Sequence, residues 1–162
     1  MPELFPYILL LHILGAIVAF GPTFAFPLMG AMGGREPMHA NFATRLSLGI
    51  EERMVLPLAV VQGITGLLLV WSASIDLTAA HWLDIAIVLY LIALFFSIFV
   101  QTASVRRVIE LTTMPAGGPP PGAPAGPPPG VPAAVQRVQR GGALLSVLIV
   151  TIVFLMVVRP TL

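Results

Sequence analysis

Ile85–Val105 reads IAIVLYLIALFFSIFVQTASV, twenty-one residues without one Asp, Glu, Lys or Arg. A helix crossing a bilayer needs about 20 such residues, each rising about 1.5 Å. Leu4–Gly34, Met54–Ile75 and Gly141–Val158 are equally free of formal charge. In hydrocarbon each backbone amide must find its partner within its own segment, so these stretches are helices. None alternates with the period of two that marks a barrel strand. The expectation is an all-α membrane protein with four transmembrane helices, at about 4–30, 54–75, 84–105 and 142–159. They form one integral domain, an up-down bundle.

Composition reaches the same answer. Of the 162 residues, 57% are apolar and only 9% are charged, with a net charge of +1. A soluble domain carries about 25% charged residues. Eight arginines, no lysine and seven acids cannot clothe a water-soluble surface of this size, which excludes a soluble enzyme or a nucleic-acid binder. Cysteine is absent, so disulfides, thiolate metal sites and covalent haem attachment are excluded too. The first apolar run is longer than a signal peptide's and has Glu3 where a signal would be basic, so it reads as a retained helix.

Arginine placement sets the expected orientation. Arg35, Arg45 and Arg53 lie between the first two helices, and Arg106, Arg107, Arg137 and Arg140 between the last two; Arg159 alone lies on the other side. By the positive-inside rule both termini face outward. Tyr7, Trp71 and Trp82 then fall at the outer interface, where amphipathic rings belong. Glu51 and Glu52 are expected at the start of the second helix and Arg106 and Arg107 at the end of the third, each matching the helix dipole. Met38, Phe42, Leu46 and Ile50 recur every four residues. They suggest a short helix lying on the cytoplasmic leaflet, or an extension of the second helix out of the membrane. Residues 115–134 hold nine prolines and five glycines and read as an extended cytoplasmic linker, with a PxxP docking site as the alternative.

Polar residues at membrane depth are the functional candidates. His12 is followed by Gly15 and Ala19, a small-xxx-small pair that admits a neighbouring helix. It is a candidate haem b or pigment contact, or else a hydrogen-bonding partner for Gln62, Thr65 or a backbone carbonyl. His81, beside Trp82 in the outer loop, is a weaker cofactor candidate. Gln62, Gly63 and Gly66 read as a packing seam on the second helix. Ser97, Gln101, Thr102 and Ser104 make one half of the third helix mildly polar. Pro22 and Pro27 should kink or end the first helix, while Pro57 should sit in the opening turns of the second. No acid or base is expected at membrane depth, which argues against an ion relay. No catalytic constellation or metal-ligand cluster is legible.

Three stretches together, LHILGAIVAFG (Leu11–Gly21), EERMVLPLAVVQGITGLLLVW (Glu51–Trp71) and HWLDIAIVLYLIALFF (His81–Phe96), resemble a bacterial integral-membrane family known as domain of unknown function 2269. The likeness covers roughly Leu4–Leu111 and implies four helices. More distantly, the Leu-His pair and the small residues after it are similar to the four-helix membrane protoporphyrinogen oxidases. That resemblance implies His12 as a haem-associated histidine. Those enzymes carry a lysine shortly after a Trp-Leu pair; here Trp82 and Leu83 are followed by Asp84, Ile85 and Ala86.

The leading functional expectation is a small non-catalytic accessory or scaffold subunit, packed in the lipid bilayer against a larger membrane complex such as an electron-transfer or photosynthetic one. The alternatives are a haem b-binding redox protein using His12 and a component of a small-solute transporter or channel.

Overall fold

The computed structural model describes residues 2–113, 126 and 128–160. The chain forms four rods, each long and apolar enough to cross a membrane: Phe5–Arg35, Met38–Ser72, His81–Thr112 and Val131–Val158. Only the last is an uninterrupted α-helix. The first consists of α1 (Phe5–Phe20), a 3₁₀ segment (Gly21–Ala25) and α2 (Phe26–Arg35). In the second, α3 (Pro37–Ile50) runs through a π-turn (Glu51–Val55) into α4 (Leu56–Ser72). The third joins α5 (His81–Phe96) to α6 (Thr102–Thr112) through another π-turn (Ser97–Gln101), and α7 (Val131–Val158) is the fourth.

Two of the three interruptions have prolines as their cause. Pro22 lacks an N–H and its ring crowds the preceding turn, so the backbone tightens into 3₁₀ geometry before Pro27 opens α2. Pro57 sits in the first turn of α4, as expected, although α4 continues an earlier helix. The rod begins twenty residues earlier, at Pro37, and the ladder ahead of Pro57 widens so that the Leu56 N–H reaches the Glu51 carbonyl. The third-rod turn has no proline. There the Ser97 carbonyl accepts both the Thr102 N–H and the Thr102 hydroxyl, the latter at 2.9 Å.

The second rod is continuous. Met38, Phe42, Leu46 and Ile50 lie on α3, which runs through the π-turn into α4, so of the two readings of that spacing the extension of the second helix is the one seen. α3 is supported from two sides, by α2 folded back on it and by α6. The hairpin turn is tight because Gly33 approaches Ala40: a β-carbon on Gly33 would stand 3.2 Å from the Ala40 Cα. Glu51 and Glu52 therefore lie mid-rod, not at a helix start. Arg106 and Arg107 likewise sit inside α6, which continues to Thr112.

Neighbours in sequence run antiparallel. His12 meets Thr65, Tyr90 meets the Ala59 carbonyl, and Gln101 meets the Val138 carbonyl. α1 packs chiefly on α4, while α7 lies along α5 and α6. The Arg159 guanidinium closes the far end over the Trp82 ring, 5.5 Å from its centroid. The start of α1, the turn at 73–80 and Arg159 thus share one end of the bundle. Of the linker read at 115–134, residues 115–125 and 127 lie outside the described residues, and Val131–Ala134 form the first turn of α7.

Candidate functional site

Lipid rewards neither rod for meeting another by water exclusion, so helix contacts rest on close packing and on polar bonds between helices. This bundle uses both at the same places. Glu51, Val55, Ala59, Gln62 and Thr65 step by three or four residues and form the buried stripe of the second rod. At most levels of the bundle a polar side chain from one rod is received by a glycine on another.

Near the end that holds the termini, His12 Nδ1 lies 2.8 Å from Thr65 Oγ1. The Thr65 hydroxyl also reaches the Val61 and Gln62 carbonyls, each at 3.1 Å. The hydroxyl has one proton for three neighbours, so the direction of its bond to His12 follows the imidazole tautomer. The imidazole edge rests against Gly66, where a β-carbon would stand 3.3 Å from Cε1. One turn along, Gln62 extends toward Gly15, where a β-carbon would stand 2.8 Å from Oε1. This oxygen is buried and has no hydrogen-bond partner among the described residues.

Further along, the Tyr90 hydroxyl donates to the Ala59 carbonyl at 2.8 Å, and its ring occupies the space that Gly63 leaves open. Gln101 fills the hollow at Gly141 and donates to the Val138 carbonyl at 3.1 Å. Between these two levels Ser97 Oγ donates to a carboxylate oxygen of Glu51. Glu51 is only 8% exposed. At the other end Asn41 Nδ2 ties α3 to the close of α6, through the Ile109 carbonyl at 3.2 Å and Thr112 Oγ1 at 2.9 Å.

A family model described as predicted integral membrane protein (DUF2269) matches residues 6–160, nearly the whole chain. The chain belongs to that family. No curated protein and no solved structure matches it.

The DUF2269 chain is thus a multi-span integral membrane protein, and its candidate residues can be placed one by one. His12, Gly15, Gln62 and Gly66 meet in the seam between α1 and α4, and Ala19 is fully buried. Gly63 faces away from them, toward Tyr90 on the third rod. His81 stands apart at the start of α5, largely exposed, 4.0 Å from Asp84. In the adjoining turn, Asp76 accepts from the Thr78 N–H and hydroxyl at 2.9 and 2.7 Å, which holds its carboxyl below the usual range.

Glu51 is the residue that sequence reading misplaced. Its carboxyl lies at the level of Ser97, so a buried acid stands beside the charge-free run of the third rod. The signal was available in the spacing, because Glu51 continues the stripe of Val55, Ala59 and Gln62. The partners of Tyr90 and Gln101 were hidden because each finds its glycine on another rod. No group of three His, Asp or Glu side chains converges as a metal site among the described residues.

Proposed function

We propose that this DUF2269 protein is a non-catalytic membrane subunit that packs against a larger membrane complex. The observation that carries the reading is how the polar groups are used. His12, Tyr90, Gln101 and Asn41 each spend their hydrogen bonds on another helix of the same chain and hold the rods in register. What remains outside is apolar. α1 packs chiefly on α4 and buries only Ala19, leaving Leu10, Leu11, Ile13, Leu14, Ile17 and Val18 exposed around its circumference. A helix so lightly held by its own bundle suits contact with lipid and with a second membrane protein.

The reading extends to orientation. Seven of the eight arginines lie on α2, α3, the π-turn after it, α6 and the first part of α7, away from the end that holds Arg159, which supports both termini outward in a bacterial inner membrane. A reporter fused after Leu162 should be active only on the outer side. For the subunit role, gentle detergent extraction followed by native mass spectrometry should find the chain in a larger assembly, with electron carriers or pigments if the partner is of the electron-transfer or photosynthetic class. A chain that runs alone from its own membranes would refute the subunit reading.

The haem reading keeps one specific support. Metal-ligating imidazoles commonly have their second nitrogen tied to a hydrogen-bond acceptor, as His12 Nδ1 is tied to Thr65. His81 is far more exposed and engages Asp84, so the second axial ligand would come from a partner. A Soret band lost in His12→Ala would establish this reading, and colourless protein from haem-replete cells would end it.

A further inference from the structure

Three departures from α geometry within the described rods adjoin one another. The 3₁₀ segment Gly21–Ala25 touches the π-turn Glu51–Val55, and that turn is joined to the π-turn Ser97–Gln101 by the hydrogen bond from Ser97 to Glu51. Glu51 and Ser97 are each the first residue of their turn, and both are buried. Interrupted helices that meet inside a membrane bundle are where ion sites are built, because irregular backbone persists at that depth only when it lines a site or is buried in protein.

Among the described residues, Glu51 makes no ion pair within 4.0 Å. Arg106, on the rod that carries Ser97, is committed elsewhere: it holds Glu52 at 2.6 Å on the exposed side. Arg107 pairs with Glu110, also exposed. The other charged groups on the surrounding elements are Arg45 on α3, Arg53 on the turn itself, and Arg137 and Arg140 on α7; the 3₁₀ segment, α1 and α4 carry none. An unpaired carboxylate removed from water is too costly to persist. The adjoining acid, Glu52, is taken up by Arg106 on the exposed side, so a single carboxyl faces Ser97, which suits a single positive charge and not a divalent ion.

We infer that Glu51 and Ser97 form an exchangeable site for a monovalent cation, a proton or a sodium ion, where these three rods depart from α-helix. The inference does not depend on the subunit role. Both occupants use the same chemistry, a carboxylate oxygen neutralised beside a hydroxyl that can turn either its proton or its lone pair inward.

The test uses the full chain in vesicles of phosphatidylethanolamine and phosphatidylglycerol. Dicyclohexylcarbodiimide reacts with protonated carboxyls shielded from water, and peptide mass spectrometry locates the adduct. Glu51 should be modified, the adduct should vanish in Glu51→Gln, and the rate should fall as pH rises. Sodium replacing choline at fixed pH slows the reaction several-fold if sodium competes for the carboxyl; it leaves the rate unchanged if the proton is the sole occupant. Ser97→Ala should move the midpoint of the pH profile. The site is overturned if Glu51 stays unmodified at every pH in protein of intact helicity, or is modified at a rate that ignores both pH and sodium. A midpoint unmoved by Ser97→Ala removes the hydroxyl from the site.

Discussion

Gly63→Ala would place a methyl group where Tyr90 now stands. The new β-carbon would lie 2.6 Å from the phenolic oxygen and 3.1 Å from Cζ. Carbon contacts are comfortable at about 3.5–4.0 Å, so α4 and α5 must part by roughly 1 Å or Tyr90 must abandon the Ala59 carbonyl. Overpacking of this kind costs about 1–3 kcal/mol. Losing an interhelical hydrogen bond in a membrane protein adds about 0.6 kcal/mol on average and about 1.7 at most. Replacing glycine within a helix returns about 1 kcal/mol. The net expectation is a loss of roughly 1–4 kcal/mol, read from denaturation in mixed micelles followed by circular dichroism. Tyr90→Phe removes the offending oxygen, so the double variant should be more stable than the sum of the single losses by about 1 kcal/mol, within the usual range for touching residues. Gly63→Ala at or above parental stability, or strictly additive losses, would refute the view that this glycine exists to receive the tyrosine.

The other glycine seams make companion predictions. Gly141→Ala would drive a β-carbon into the Gln101 amide and within 3.4 Å of Phe96 Cε1, separating α7 from the third rod; Gln101→Ala in the same chain should restore most of the lost midpoint. Gln62→Leu should be neutral or stabilising, by up to about 1–3 kcal/mol, because the buried amide oxygen it removes has no partner among the described residues. A large loss in that variant would show that Gln62 holds something this chain alone does not supply. Asn41→Ala should cost about 1 kcal/mol and raise hydrogen exchange over residues 108–113, the segment whose carbonyl and threonine hydroxyls it engages.

The four rods were legible because each depends on one robust property, an apolar stretch matched to bilayer thickness. His12 with Gly15, and Gln62 with Gly66, were legible as candidates because the members of each pair lie three or four residues apart on one helix. What pairs with what was not. Tyr90 and Gln101 owe their environment to glycines 27 and 40 positions away in the chain, and no local pattern links them. The misplacing of Glu51 has a different origin. Charge was used to mark where the membrane ends, and that rule fails for an acid that continues a buried stripe. Helix ends misled in the same way, because the second and third rods run on past their last apolar residues as the packed elements α3 and α6.

The adjoining departures from α geometry also divide the molecule mechanically. Three of the four rods lose their regular α ladder there, whereas α7 passes unbroken over 28 residues. Bending is easiest where hydrogen bonds are already rearranged. The halves above and below therefore form a joint braced by a single mast, and tilting one half against the other strains α7 before any other element.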